Sequence, residues 1–444
     1  MLVSEDQELK LGEQAAPSMK WEFGGKYHDP SLESYLNEIV NRIWLRSERP
    51  NLPVTFYIQN SSVPNAFALP GYVAITRGLL SDLDNEAQFA AIIGHETGHV
   101  MARHTAQRIS RMTLQQMGLA IGGVVLEGTE GADMLLTAGS IGSQLYLLKY
   151  SREQEIQADR LGVKYMASLG YDPHEALTAH KVLGKSVSNY MERLGEKRSK
   201  DSFMSTFLST HPRKEVRLSE IQDMIDELSG YSLEGDGIFR TPFHEKSRNI
   251  KQVNKVYFIY DEAEKLFKQK NYTAAEQRLN KAISFNNEQA PFYNLLGLVK
   301  AQQKNYQKAE KHFRKALSVD PEYQPSVYGL GLIFFLRGDY GEAIPQLKKS
   351  LTLYPDHTAS HLALGKSYFK LKQYRQAIPY LRTASQVMGR HPEIHGLMGI
   401  CYEKLGEKNL AVKEYRYQLQ VAPQNEFGLH ARKRLAVLEP SFKR

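Results

Sequence analysis

Cysteine is all but missing from this sequence: Cys401 stands alone in 444 residues. No disulfide can close within the chain, no cysteine-rich metal site can be built, and the redox state of the compartment is left open. Cys401 reads as a small buried residue of a helix. Long apolar runs are lacking too. MTLQQMGLAIGGVVL (112–126) and MLLTAGSIGSQLYLL (134–148) have 15 residues each, short of the roughly 17–25 that span a bilayer. They read as a buried helical hairpin, with shallow contact to a membrane surface as the second reading. The opening MLVSEDQELKLGEQAAPSMK has no basic n-region and no apolar h-region. As written it carries no export signal, which implies either a cytoplasmic protein or a missing upstream segment.

Acidic charge is scarce in one half only. Residues 1–255 carry 28 Lys and Arg against 32 Asp and Glu, net −4, and residues 256–444 carry 29 against 17, net +12; together these give the +8 of the whole chain. The basic half is where an acidic partner would bind. With no aromatic base-stacking motif beside the charge, nucleic acid is not expected and solvated helical faces account for it. Composition, 42% hydrophobic and 24% charged, is that of a folded chain, and its length suits two or three domains.

What is present in abundance is a period. Gly297, Gly331, Gly365 and Gly399 are spaced by 34, as are Tyr272, Tyr306, Tyr340 and Tyr374, and Ala275, Ala309, Ala343, Ala377 and Ala411. Pro321 and Pro355 share the step, and Pro423 falls two steps later. Three residue classes in one register resemble the tetratricopeptide repeat family, an α-solenoid of helical hairpins. The resemblance implies about five hairpins over 256–444 with GLHARKRLAVLE as a basic capping helix, and a concave groove that binds peptides or protein surfaces. Pro392, in HPEIH, stands three residues late and implies a local distortion of the superhelix. Residues 227–255 hold several glycines and a proline without a sustained period, and 231–255 read as a linker or docking segment.

In the first half, PVTFYIQN (53–60) alternates like a strand and NAFALPGYVAIT (65–76) reads as strand, turn, strand. SDLDNEAQFAAIIGHETGHVMARH then turns helical, with Ser81 and Asp84 spaced as a capping box. On that helix His95 and His99 lie at i and i+4 on one face, where two imidazoles can bind one zinc while Glu96 reaches the activated water as general base. A third histidine six residues on is excluded, because Thr105 and Ala102 stand where that arrangement needs His and Gly. His104 falls about 140° round a continuous helix from His99 and is expected to point away.

The third ligand should come from SREQEIQADRLGVKYMASLGYDP. Ser151 and Gln154 form a capping box, and Gly170, Asp172 and Pro173 mark the stop. Glu155, Ala158, Asp159, Gly162 and Met166 share one small-residue face; Glu153, Gln157, Arg160 and Lys164 share the polar one. A buried carboxylate demands a partner, so Glu155 is the candidate ligand and Asp159 the carboxylate that orients an imidazole, with Glu153 discounted.

GHETGH, then SREQEIQAD, then STHP at 209–212 resemble the M48 family of zinc metallopeptidases, matching at His95, Glu96, His99, Glu155 and Asp159. The resemblance implies a gluzincin-type α+β peptidase domain with a small sheet over residues 1–230 in a mainly α chain, binding one Zn2+. With the repeats behind it, the chain is similar to the periplasmic branch of that family. That implies an exported enzyme whose SEDQELKLGEQAA start is a mature N-terminus, and which degrades unfolded or misassembled proteins while its repeats engage outer-membrane β-barrel proteins and their assembly machinery. His211 is expected to donate to the developing oxyanion or to close the site as a fourth ligand, with Arg217 a weaker companion. Substrate is expected to lie near Asn65 and along Tyr72, Val73, Ala74 and Ile75 by strand addition. The competing readings are a repeat-based chaperone or scaffold with a silenced or gated site, and a cytoplasmic peptidase.

Overall fold

The computed structural model describes residues 2–22, 24–111, 150–195 and 215–439. The expected hairpin over 112–148 lies outside them, as does His211. Among the described residues the chain is helical apart from one three-stranded sheet, and no helix is long and apolar enough to cross a membrane.

Helix α1 (Glu5–Glu22) opens the chain and α2 (Pro30–Leu45) follows, its N-cap Asp29 accepting from Leu32 N. Strands β1 (Thr55–Gln59), β2 (Ala66–Leu69) and β3 (Tyr72–Thr76) form a sheet of order β1-β3-β2, with β1 parallel and β2 antiparallel to β3. Gly71, at φ +83°, closes the turn from β2 to β3. Helix α1 crosses this turn so closely that a Cβ on Gly12 would lie 1.9 Å from the Pro70 carbonyl oxygen.

The strand positions follow the alternation in the sequence, but β3 is the central strand, already paired on both sides. Addition of substrate to Tyr72–Ile75, the expectation above, is therefore ruled out by occupied hydrogen bonds. Among the described residues β2 is an edge. Thr76 N donates to Asn65 O at 2.8 Å, so by antiparallel alternation residues 65, 67 and 69 bond to β3, while the N–H and C=O of Ala66 and Ala68 face outward.

Helices α3 (Arg77–Asp82), α4 (Glu86–Met101), α5 (Arg152–Ser168), α6 (Glu175–Leu194) and α7 (Glu215–Asp226) complete the peptidase-like part. Helix α8 (Arg240–Lys268) then runs unbroken for 29 residues through the segment expected to be a linker, packing against α2, α3, α4 and α6 before pairing with α9 (Tyr272–Phe285). Arg77, fully buried, anchors it. The guanidinium donates to Asn254 of α8, to Asn60 Oδ1 at 2.9 Å and to Ser62 Oγ at 2.8 Å, and lies 3.6 Å over the Tyr257 ring. A buried cation persists only with such a full set of partners.

The chain divides into two compact units, with the change falling between Asn287 and Glu288. The second unit holds α10 (Ala290–Gln302), α11 (Tyr306–Val319), α12 (Gln324–Arg337), α13 (Tyr340–Leu353), α14 (Thr358–Lys370), α15 (Tyr374–Val387), α16 (Ile394–Lys404), α17 (Lys408–Val421) and α18 (Glu426–Leu438). The glycine column explains itself here. A Cβ on Gly297, Gly331, Gly365 or Gly399 would lie within 2.5–2.9 Å of Phe313, Leu347, Leu381 or Tyr415, each 16 residues on in the facing helix. The 34-residue step places a helix start at 290, 324 and 358, but α16 begins at Ile394, two residues past 392, and is shorter than its counterparts.

Candidate metal centre

Helix α4 starts later than the Ser81–Asp84 spacing suggests. Ser81 lies in α3 and donates to Gly78 O at 3.0 Å. The N-cap is Asn85, whose Oδ1 accepts from Gln88 N at 2.8 Å, while Gln88 Oε1 accepts from Asp84 N at 2.8 Å. In α5 the Ser151–Gln154 capping box forms in both directions.

Helix α4 is buried along its whole length and packs along α5. The seam is made of small residues. A Cβ on Gly98 would meet Ala158 O at 2.9 Å, and one on Gly162 would meet His95 N at 2.9 Å. This approach lets side chains beside the seam converge. His95 Nε2 and His99 Nε2 are 3.1 Å apart; Glu155 Oε1 lies 3.5 Å from His99 Nε2 and Glu155 Oε2 lies 3.7 Å from His95 Nε2. All three groups are buried, with one ligand atom from each within 4.8 Å of the others. Two imidazole nitrogens and a carboxylate form a donor set that could hold a metal ion.

The orientation of both rings supports that fit. His95 Nδ1 lies 2.7 Å from Asp159 Oδ1, and His99 Nδ1 lies 2.8 Å from His104 Nδ1, so both Nε2 atoms turn toward the common centre. Burial pushes the His95 imidazole down to about 4 against the pull of Asp159, keeping it in the neutral form that can ligate. Burial by itself would raise the Asp159 carboxyl, but His95 and Arg217 beside it hold it well below its ordinary range.

Glu96 lines the pocket beside this cluster with Asn65, Ala66, His95, His180 and Arg217. Tyr150 stacks on the His99 ring at 3.8 Å between centroids. Glu153 is exposed.

Two expectations are corrected. His104 does not point away: α4 stops at Met101, and Arg103 in the left-handed region (φ 57°) turns the chain so that His104 returns to His99. Arg217, expected as a weaker companion of His211, lines the pocket but is engaged by carboxylates. Its Nε and Nη2 donate to Asp159 Oδ2 and Oδ1 at 2.6 and 2.7 Å, and its Nη1 lies 2.7 Å from Glu155 Oε2, so the guanidinium is taken up balancing two buried carboxylates. His180, 3.4 Å from Asp159 Oδ1, was not legible as a site residue, because EALTAHKV is an ordinary amphipathic helix with no spacing that singles it out. Gln157, read as a residue of the polar face, reaches His104 Nε2 at 3.1 Å.

Residues 30–225 match the family described as Peptidase family M48, residues 260–325 match a Tetratricopeptide repeat family, and residues 302–384 match Anaphase-promoting complex, cyclosome, subunit 3. The chain is 27% identical over 235 residues to the Beta-barrel assembly-enhancing protease of Yersinia pestis, covering 51% of this chain and 45% of that one. It is 38% identical over 162 residues to the Mitochondrial metalloendopeptidase OMA1 of Arabidopsis thaliana, covering 36% of this chain and 29% of that one. This chain thus spans less than half the length of either relative. A solved structure of Pseudomonas aeruginosa pilF is 20% identical with a TM-score of 0.37, covering 42% of this chain and 94% of that one.

Proposed function

We propose, for a chain that carries a Peptidase family M48 domain followed by tetratricopeptide repeats, that it is a zinc-dependent endopeptidase acting on unfolded or misassembled proteins in envelope quality control. The observation that supports this most is the convergence of His95, His99 and Glu155 in one buried cluster beside Glu96. One Zn2+ per chain suits two imidazoles and a carboxylate, and when bound supplies Lewis acidity toward the scissile carbonyl and the attacking water. Glu96, one residue after His95 on the same turn, takes the proton of that water and passes it to the departing amine. Asp159 orients the His95 ring, and Arg217 holds Asp159 and Glu155 in place.

An extended substrate adds to β2, an edge among the described residues, pairing with the outward N–H and C=O of Ala66 and Ala68, with Asn65 at the pocket as a further contact. Strand addition selects extended backbone rather than a particular side chain, which favours unfolded clients. His211 serves as the oxyanion donor or as a gating fourth ligand. The repeats tether clients near the site and raise their effective concentration. Likeness to relatives named as β-barrel assembly-enhancing proteases supports outer-membrane β-barrel proteins and their assembly machinery as partners, and the periplasm as the location.

The test is zinc content and casein cleavage on wild type, His95→Ala, Glu155→Ala and Glu96→Gln. One zinc per chain, lost in both ligand variants and kept in Glu96→Gln while cleavage drops by about 10²–10⁴-fold, is the expected pattern. Zinc without any cleavage would favour a scaffold or a gated site; no zinc would end the metal reading.

A further inference from the structure

The turn after α4 is held from outside the helix. Arg103, in the left-handed conformation that commonly ends a helix, donates from Nε to Glu8 Oε2 at 2.8 Å and from Nη2 to Val3 O at 2.9 Å. Arg49 Nη1 donates to Val100 O at 3.3 Å on the last turn of α4. Leu2 N donates to Ser110 Oγ at 2.9 Å, tying the start of the chain to the helical run that contains His104. The N-terminal segment thus fixes where His104 stands.

His104 is fully buried and has two neighbours for its two ring nitrogens: His99 Nδ1 at 2.8 Å from its Nδ1, and Gln157 Oε1 at 3.1 Å from its Nε2. An amide oxygen only accepts, so His104 carries its proton on Nε2 and turns a lone pair toward His99. His99 must then donate from Nδ1, and its own lone pair is on Nε2, the atom 3.1 Å from His95 Nε2 and 3.5 Å from Glu155 Oε1.

We propose that His104 is a positioning residue that fixes the ligand-competent tautomer of His99, set in place by the Arg103 turn and relayed from Gln157. The inference rests on His99 being a metal ligand. His95 and His99 are thereby oriented by different chemistry, a carboxylate on one and a neutral imidazole on the other. A further fixed carboxylate, beside Glu96, Glu155 and Asp159, would have added negative charge that Arg217 already has to balance.

The experiment uses the full chain as wild type, His104→Asn and His104→Phe. Asn places an acceptor oxygen where the imidazole Nδ1 stood, whereas Phe keeps the ring and removes the acceptor. Two quantities are read: Zn2+ affinity by chelator competition, and the proton positions on His99 and His104 by ¹⁵N spectroscopy of metal-free protein. Wild type should show protons on His99 Nδ1 and His104 Nε2. His104→Phe should weaken Zn2+ binding about 10–100-fold and move the His99 proton to Nε2, while His104→Asn stays within about threefold of wild type. Unchanged affinity and tautomer in His104→Phe would overturn the proposal. Should that variant not fold, the wild-type spectrum decides, since an unprotonated His99 Nδ1 or a proton on His104 Nδ1 is incompatible with it. Wild type that takes up no Zn2+ would sink the metal site instead, a failure that the nitrogen spectrum distinguishes from failure of the relay.

Discussion

Arg217 grips Asp159 with two parallel hydrogen bonds of 2.6 and 2.7 Å while both side chains are buried. Because the same guanidinium also lies 2.7 Å from Glu155 Oε2, it balances the third candidate ligand and the carboxylate that orients the first. Replacing Arg217 by Met leaves two buried carboxylates facing one another, and the metal-free protein should lose about 3–5 kcal/mol in urea unfolding. Arg217→Lys should recover only part of this, since a point charge cannot form the fork.

Asp159 gives a pH signature. Its carboxyl is held well below the ordinary value of 3.8, so the stability it contributes is fully present above 3.8 and is lost as pH falls toward the folded-state value. The stability difference between metal-free wild type and Asp159→Asn should be constant near neutrality and shrink in acid below 3.8. A difference that instead grows on acidification would reverse the assigned sign.

Gly98 and Gly162 set the distance between α4 and α5. In Gly98→Ala the new methyl carbon would sit 2.9 Å from backbone oxygen of Ala158, which cannot move alone, so the helices must part. A loss of about 1–3 kcal/mol is expected, with weaker metal retention because His95 and His99 move away from Glu155. Equal stability and equal metal content in Gly98→Ala would show that the seam is looser than its geometry.

Asp261, half-buried in the lining of a pocket between α6 and α8, accepts from Ser62 Oγ at 2.9 Å. Burial pushes its carboxyl up to about 6 despite the pull of Arg77. A raised carboxyl favours the folded state at low pH, and stability falls as pH rises from 3.8 through 6, because only the folded state still holds the proton there. Asp261→Asn should therefore be more stable than wild type at pH 7 by about 1–2 kcal/mol, after allowing for solvent in the pocket, and should lose that advantage near pH 4.

The outward face of β2 can be probed from the substrate side. Peptides N-methylated at the residue opposite Ala66 or Ala68 lack one main-chain donor, and kcat/KM should fall about tenfold, the equivalent of one hydrogen bond. Insensitivity to methylation at every position would exclude strand addition there.

The parts of this molecule legible in sequence are those encoded locally. Ser151 and Gln154 cap α5 because both halves of the box lie within four residues, and the repeats are visible because Gly297 and Ala309 recur together every 34. His95, Glu155 and Asp159 could be brought together on paper because helical period and small residues sort one face from another. What escaped was decided at a distance. The turn at Arg103 is held by Glu8 and Val3, nearly a hundred residues away, so helical period alone implies an unbroken helix and puts His104 on the wrong side. The central position of β3 depends on β1 pairing with β3 and not with its sequence neighbour β2, which alternation alone does not specify.

Helix α8 joins the peptidase-like part to the first repeat hairpin with no break, a rod about 43 Å long at 1.5 Å per residue. The first hairpin therefore belongs with the peptidase-like part and not with the array behind it. A fragment beginning at Lys255 or Val256 would cut the rod midway, stripping Asn254 from Arg77 at one end and leaving a ragged helix at the other. Recombination that exchanges repeat arrays between such proteins would preserve both partners only at a joint beyond Phe285. The repeat array is in this sense grafted onto a stub that the peptidase-like part itself provides.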